Sequence, residues 1–193
     1  MGLHVVAITG ASGAIYGVRL IEALRSIGED VRLIISKEGA INLDLECSMT
    51  PTQLAEKFEC ELENNLNLAA KSASGSAMID SVIVCPASGT TISKIAAGIS
   101  DNLATRSAIV ALKERRILII VPREAPYATV HLENMTKISQ WGGVILPASP
   151  GFYNKPTTID DLVDFIIARI LDQLGIENNL TSRWTGEEIK STE

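Results

Sequence analysis

The first 17 residues constrain the fold of this chain more than any other stretch. An apolar run from Val5 to Ile8 ends in a glycine-rich corner, Thr9-Gly10-Ala11-Ser12-Gly13, and an amphipathic helical pattern begins at Ala14. A strand that turns directly into a helix leaves backbone N–H groups at the helix N-terminus, and such groups suit a phosphate or another anion. The corner therefore predicts that the chain binds a phosphorylated ligand.

Four further apolar runs alternate with helical patterns. The predicted strands are 3–9, 31–36, 81–85, 116–121 and 143–146, and each ends at a polar, glycine-rich or proline-rich corner. The clearest helix begins after Thr158, carries a continuous apolar stripe and stops at Gly175. This alternation predicts a parallel sheet with helices on both faces, and ligands of such folds bind at the carboxyl ends of the strands.

Composition and charge limit the domain organisation, the partners and the cellular location that we expect for this chain. The 193 residues suffice for one domain, 1–193, with a C-terminal tail extending from the core at about residue 176. The formal net charge of -6 argues against nucleic acid as a partner. Three cysteines without metal-ligand spacing indicate reduced thiols, a cytoplasmic location and no metal site. We expect neither a signal peptide nor a membrane span, which needs roughly 18 apolar residues.

The first corner does not fit a dinucleotide-binding enzyme. Its glycines, Gly10, Gly13 and Gly17, depart from the GxGxxG spacing, and Ser36-Lys37 stands where an acidic ribose ligand is expected. A nicotinamide-dependent dehydrogenase is therefore the weaker hypothesis. A tight turn without any ligand is a further alternative for this corner.

Several residues at predicted strand ends are candidates for phosphate chemistry. The hydroxyls of Ser36 and Ser88 suit a phosphate or a ribityl chain, although each also fits a simple helix N-cap. Arg123 and Glu124 lie between two prolines; the guanidinium of Arg123 suits a phosphate, and Glu124 can exchange a proton with that phosphate. The alternative for this pair is a surface ion pair.

The spacing of Tyr153 and Arg169 does not decide whether these residues have a structural or a ligand-binding role. Tyr153 follows the last predicted strand and either packs in its loop or presents its hydroxyl to a ligand. Arg169 borders the apolar stripe of the last helix and fits a flanking residue that extends its charge into water. The two histidines, His4 and His131, suggest neither a metal site nor a catalytic triad.

Seven segments together resemble the UbiX family of flavin prenyltransferases, in the homo-oligomeric flavin-containing cysteine decarboxylase-like superfamily. The resemblance runs from about residue 4 to residue 184 and is weakest between residues 47 and 72. The segments that carry it are 9–14, 112–116, 121–126, 131–135, 150–153, 160–165 and 183–184.

This resemblance implies an α/β fold, a Rossmann-like three-layer sandwich with a mostly parallel sheet and helices on both faces. It also implies an enzyme that joins the dimethylallyl group of dimethylallyl monophosphate to N5 and then C6 of reduced FMN. The product, prenylated FMN, serves UbiD-type decarboxylases. The expected assembly is a homododecamer with FMN near subunit interfaces, without nucleic-acid, membrane or metal partners.

The resemblance also assigns roles to individual residues. The implied catalytic residues are Ser12, Glu46, Glu124 and Lys113, with Ser12 and Glu46 handling protons beside the flavin ring. The implied FMN contacts are Gly10, Ala11, Ser12, Ser36, Ser88, Gly89, Thr90, Thr91 and Arg123. The implied substrate contacts are Lys113, Arg123, Glu124, Tyr153, Arg169 and Trp184, of which Trp184 covers the site.

Two other functions remain open. Flavin-containing cysteine decarboxylases share the implied fold but carry a P-x-M-N-x-x-M-W motif and a catalytic histidine, whereas the matching loop here, 147–153, has no Met, Asn or Trp. A non-catalytic flavin carrier would keep the FMN corner and could dispense with Lys113, Glu124 and Arg169 together.

Overall fold

The computed structural model describes residues 2–184 and residue 186 and contains a six-stranded sheet between two layers of helices. The strands are β1 (Leu3–Ile8), β2 (Asp30–Ile35), β3 (Glu61–Glu63), β4 (Ser81–Ala87), β5 (Ile117–Pro122) and β6 (Val144–Ile145). The helices are α1 (Ala14–Ser26), α2 (Lys37–Cys47), α3 (Pro51–Lys57), α4 (Gly89–Ala96), α5 (Leu103–Lys113), α6 (Thr129–Gln140) and α7 (Ile159–Gln173). All neighbouring strands are parallel. The predicted α/β fold is confirmed.

Side chains of the central strands alternate between the two faces of the sheet. Val6 and Ile8 of β1 belong to the core under α1, α2 and α7, whereas Val5 and Ala7 belong to the core under α4, α5 and α6. All four are fully buried. Because helices cover both faces, the strands consist mainly of Val, Ile, Leu and Ala, as is typical of buried parallel sheets.

The sheet has a topological switch point beside β1. The strand order is β3-β2-β1-β4-β5-β6, so the chain builds the sheet in one direction from β1 and then in the other from β4. α1 packs on one face of the sheet and α4 packs on the other. A crevice therefore opens between the C-terminal ends of β1 and β4, and ligands of such folds bind in this crevice.

The region between β2 and β4 is the part of the fold that the sequence indicated least. β3 has three residues, of which only Glu63 is buried, so no apolar run marks it. Two single turns of 3-10 helix, Lys71–Ala73 and Gly75–Ala77, lie in this region on either side of Ser74, and Ser72 and Ala73 are buried.

The C-terminal tail is described as far as residue 184, together with residue 186; residue 185 and residues 187–193 lie outside the described part. α7 ends before Gly175, whose φ of 72° is a left-handed conformation. Ile176 and Leu180 then pack against the core under α7, so the chain turns back over that helix. None of the helices in residues 2–184 is long and apolar enough to cross a membrane.

Candidate active site

Three helices begin at one cavity of about 1000 Å³, which we call the large cavity. The N-cap residues of α2, α4 and α5 are Ser36, Ser88 and Asn102, and all three line it. Each N-cap side chain accepts a hydrogen bond from the backbone N–H three residues later, at 3.0, 3.2 and 3.0 Å respectively. Each N-terminus contributes a partial positive charge, which favours an anion near the helix end.

The three N-termini differ in the number of N–H donors that remain open. At α5, the N–H groups of Leu103 and Ala104 donate to the backbone and side-chain oxygens of Asn65, at 2.7 and 3.0 Å. At α2 and α4, the first two N–H groups of each helix have no hydrogen-bond partner within the described residues. Of the three helices, α2 and α4 therefore offer free donors to a phosphate.

Residues 62–66, at the end of β3, form another part of the wall of the large cavity. The buried carboxylate of Glu63 accepts hydrogen bonds from Arg32 Nη2, at 2.9 Å, and from the hydroxyl of Ser72. Burial opposes ionisation, but these hydrogen bonds and the charge of Arg32 outweigh it and lower the pKa of Glu63. Ionised Glu63 thus fixes this wall to β2 and to the turn at Ser72.

Two N–H groups at the glycine-rich corner after β1 are not free, although the sequence predicted free groups there. The N–H groups of Gly13 and Ala14 donate to one carboxylate oxygen of Glu46, at 2.8 and 2.7 Å. Glu46 belongs to the last turn of α2 and occupies the anion position at the N-terminus of α1. Glu46 thus takes up two of the N–H donors of this corner, whereas the first two N–H groups of α2 and of α4 remain open to a phosphate.

The same corner brings Ser12, Glu46 and Arg123 together, and we call them the corner cluster. Arg123, directly after β5, donates from Nε to the backbone oxygen of Ser12 at 3.0 Å. The peptide unit between Ser12 and Gly13 is therefore held at its oxygen by Arg123 and at its nitrogen by Glu46. The side chain of Ser12 is exposed, as is that of Glu124, which follows Arg123 in the chain.

Tyr153, Arg169 and Trp184 line a second cavity of about 250 Å³ between α7 and the tail, which we call the tail pocket. The ring of Tyr153 packs edge-to-face against Phe165 and Trp184, with centroid separations of 5.8 and 5.6 Å. Arg169 Nη1 donates to Asp172, one turn along α7, at 2.7 Å. Among the described residues, the tail pocket and the large cavity have no lining residue in common.

Lys113 lies apart from both cavities. It is the last residue of α5 and pairs with the neighbouring Glu114. Eleven residues of helix place it roughly 15 Å from the N-terminus of α5 at the large cavity. α5 and α7 cover opposite faces of the sheet. Lys113 and Arg169 of one chain are therefore not positioned to meet around one phosphate.

Of the remaining residues that are implied to contact FMN, some line the large cavity and others pack against neighbouring parts of the fold. The residues that line the large cavity are Gly10, Ser36, Ser88, Thr90 and Thr91. Ala11 is buried beneath the corner. Gly89 begins α4, where an added Cβ would lie 2.6 Å from His131 Nε2 and would displace the ring of His131.

Asn102 and Glu63 are among the residues of the large cavity that were not predicted. Asn102 carries a recognisable signal, since Asn is a preferred N-cap residue and an apolar helical pattern follows it. Glu63 carries none, because its strand is too short to show a period of two. Within residues 2–184, no three His, Cys, Asp or Glu side chains are grouped to hold a metal ion.

The chain matches the Flavoprotein family over residues 3–171. The flavin prenyltransferase UbiX of Methanothermobacter thermautotrophicus is 45% identical over 185 residues, covering 96% of each chain. AnUbiX (PadA1), solved in complex with FMN and dimethylallyl pyrophosphate, superposes with a TM-score of 0.94 at 37% identity, covering 97% of this chain and 99% of that chain. A dodecameric FMN-dependent UbiX-like decarboxylase from Escherichia coli O157:H7 superposes with a TM-score of 0.92 at 42% identity, covering 96% and 100%.

The family match extends from β1 into the last turns of α7, so it includes the large cavity, the corner cluster and Arg169. The resemblance inferred from the sequence is confirmed at the level of the family. Fold, cavity and similarity agree that the chain belongs to the Flavoprotein family and, within it, to the UbiX flavin prenyltransferases.

Proposed function

We propose that this protein is a flavin prenyltransferase that joins the dimethylallyl group of dimethylallyl monophosphate to N5 and C6 of reduced FMN. The observation that carries the proposal is the large cavity, where open N-termini of α2 and α4 meet at the switch point of a UbiX-family fold. A cavity of about 1000 Å³ lies at the upper end of the range for ligand sites, which is sufficient for a flavin.

The residues around the large cavity fit FMN. The N–H groups at the start of α2 and α4, with the hydroxyls of Ser36, Ser88, Thr90 and Thr91, suit a phosphate and a ribityl chain. When bound, reduced FMN supplies the nucleophilic atoms that accept the dimethylallyl group. The bound FMN of AnUbiX, a relative with the same fold, supports this assignment.

Breaking the C–O bond of the donor requires neutralisation of the charge that develops on the leaving phosphate. We assign this role to three cations, Arg123 of the corner cluster, Arg169 of the tail pocket and Lys113. We assign proton transfer to the departing phosphate to the hydroxyl of Tyr153 and the carboxyl group of Glu124. Trp184, at the rim of the tail pocket, covers the donor.

Ser12 and Glu46 are the residues that we assign to proton transfer in the ring-forming step. Two backbone N–H donors hold the carboxylate of Glu46 at a fixed position beside the corner. Ser12 occupies the neighbouring peptide unit, and its hydroxyl is free to reach a ligand. A fixed carboxylate and a hydroxyl next to a flavin site are suited to moving one proton.

We further propose that neighbouring copies of the chain complete each site in a homododecamer. Lys113 and Arg169 lie on opposite faces of one chain, so they act on one phosphate only when different subunits supply them. The dodecameric relative from Escherichia coli O157:H7 supports this assembly. Large apolar side chains that are 69–81% exposed also favour burial between subunits, namely Leu45, Leu66, Met78, Phe152 and Ile159.

We also propose a recipient for the product and a cellular location for the enzyme. Prenylated FMN would pass to a UbiD-type decarboxylase. We place the enzyme in the cytoplasm, where reducing conditions preserve free thiols such as those of Cys47, Cys60 and Cys85.

The direct test is anaerobic incubation of the purified protein with dithionite-reduced FMN and dimethylallyl monophosphate. We expect mass spectrometry of the extracted flavin to show FMN heavier by one dimethylallyl unit. A parallel reaction with the diphosphate identifies the preferred donor. Unchanged FMN in both reactions would refute the proposal, and release of CO₂ from a cysteine-containing peptide would instead favour the decarboxylase alternative.

A further inference from the structure

Asp172 holds both arginines of the tail pocket. Its Oδ2 accepts a hydrogen bond from Arg169 Nη1 at 2.7 Å, and its Oδ1 accepts one from Arg183 Nη2 at 2.8 Å. The side-chain amide of Asn178 donates to the same Oδ1 at 3.2 Å. One carboxylate of α7 thus joins an arginine of its own helix to an arginine of the returning tail.

The contact with Asp172 lies next to the aromatic end of the tail. Asn154 donates to the tail just before Arg183, at 3.1 Å. Arg183 then binds Asp172, and Trp184 packs edge-to-face against Tyr153. Loss of the contact between Arg183 and Asp172 would therefore remove one of the contacts that hold the segment carrying Trp184.

Asp172 is ionised in the folded protein. Burial of its side chain opposes ionisation, but the hydrogen bond from Arg183 and the charges of Arg183 and Arg169 outweigh burial and lower the pKa of Asp172. An ionised carboxylate has no proton to donate, and it repels a phosphate. Any favourable effect of Asp172 on a bound phosphate must consequently act through the two arginines.

We propose that Asp172 is a positioning residue for the prenyl donor: it orients Arg169 towards the donor phosphate and fastens Arg183, and with it Trp184, over the same pocket. The inference rests on the proposed function, because it concerns the phosphate site of the donor. Arg169 uses one N–H group for Asp172, which leaves other N–H groups of its guanidinium for a phosphate. Holding a flexible arginine in place before the donor arrives lowers the entropy cost of binding.

The test compares Asp172→Ala and Asp172→Asn with the parent enzyme, all carrying Trp141→Phe so that Trp184 is the one tryptophan left. We expect Asp172→Ala to raise the KM for dimethylallyl monophosphate about tenfold or more, the effect of losing a charged hydrogen bond. The Kd for FMN should stay the same, since Asp172 does not line the large cavity. Asp172→Asn keeps one acceptor oxygen and should give a smaller increase in KM.

The sign of the Asp172→Asn effect separates positioning from charge repulsion. If Asp172 acted only as a negative charge that competes with the phosphate, its neutralisation would lower the KM, and that result would overturn the proposal. The matched control is Asp164→Ala, which removes another carboxylate of α7, bound to Arg19 at 2.6 Å and outside the tail pocket. We expect it to leave the KM unchanged; an equal increase would show that weakening α7 is sufficient, and would also overturn the proposal.

A second readout is independent of turnover and so separates this inference from the proposed function. Inorganic phosphate is titrated into the parent and Asp172→Ala proteins while the fluorescence of Trp184 is recorded. We expect half-maximal change at a phosphate concentration about tenfold lower in the parent. Coincident titrations would overturn the positioning role even when prenylated FMN forms, whereas failure of prenyl transfer with well-separated titrations would refute only the proposed function.

Discussion

The large cavity and the tail pocket both favour anions, but they do so by different means. The large cavity presents backbone N–H groups of α2 and α4, and the N-caps Ser36 and Ser88 hold these helix ends. The tail pocket presents the guanidinium groups of Arg169 and Arg183. Packing of helices on the sheet is enough to form the first site, whereas the second depends on an anchoring carboxylate because arginine side chains are flexible.

The two regions also differ in how complete they are within one chain. Strand ends, helix N-termini and the wall at residues 62–66 of one chain line the large cavity. The cations that we assign to the donor phosphate are divided between the faces covered by α5 and α7. We therefore expect substitutions at the large cavity to change flavin binding, and substitutions of Lys113 or Arg169 to change prenyl transfer.

The largest expected effect tests this division directly. Lys113→Ala and Arg169→Ala should each lower kcat/KM for prenyl transfer by about 10²–10³, the usual cost of removing one group that stabilises developing charge. Neither substitution should change the Kd for FMN, since neither residue lines the large cavity. The measurement is the rate at which prenylated FMN forms, followed by mass spectrometry.

Co-expression of the two variants in one cell sharpens this test. Mixed assemblies contain some sites with an intact Lys113 from one chain and an intact Arg169 from another, so part of the activity should return. The control is the double variant Lys113→Ala/Arg169→Ala expressed alone, which should stay inactive. Mixed assemblies no more active than either variant would contradict a site shared between subunits.

A smaller effect is expected at the wall of the large cavity. Glu63→Gln removes the buried charge that pairs with Arg32, and breaking a buried ion pair in this way costs about 3 kcal/mol of unfolding free energy. Glu61→Gln is the matched control, because Glu61 binds the same arginine but its side chain is 64% exposed. It should cost less than about 1 kcal/mol. Urea unfolding of the FMN-free proteins, followed by circular dichroism, measures both.

The pH dependence of the same variant has a defined sign. The pKa of Glu63 is lower in the folded protein than the value of about 4.3 for an unperturbed Glu, so its stabilisation is complete above the unfolded value. That stabilisation disappears as the pH falls through the lowered folded pKa. The difference in stability between parent and Glu63→Gln should therefore shrink in acid, and a difference that grew there would show that Glu63 is not the ionised partner of Arg32.

The sequence predicted the large cavity, where backbone N–H groups are the donors, better than the tail pocket, where arginine side chains are the donors. Ser36 and Ser88 could be placed because strand ends and N-cap residues are local signals. The corner after β1 was a less reliable guide, since two of its N–H groups bind Glu46, whose position depends on the packing of α2 against α1. Local sequence patterns predict where helix N-termini present N–H donors. They do not show which of these donors are already bound by a side chain that is distant in the sequence.

The tail pocket was harder to predict for the same physical reason. The spacing of Arg169 and Asp172 on one helix face is visible in the sequence, because residues three apart on a helix are neighbours. The return of Arg183 to Asp172 depends on the turn at Gly175, and no periodic pattern encodes it. The division of Lys113 and Arg169 between faces became clear only once the strand order was known.

The smallest expected effect decides whether an N-cap at the large cavity contributes to binding or only to helix stability. Ser36→Ala removes the N-cap of α2 and should cost about 1 kcal/mol of unfolding free energy. Thr158→Ala removes an equivalent N-cap, whose Oγ1 accepts from the N–H of Asp161 at 3.1 Å, and should cost a similar amount. Only Ser36→Ala should weaken FMN binding, by about tenfold as measured by flavin fluorescence, since only Ser36 lines the cavity. If both variants bound FMN equally well, the hydroxyl of Ser36 would serve α2 alone, and the affinity of the large cavity would have to come from its free N–H groups and its other hydroxyls.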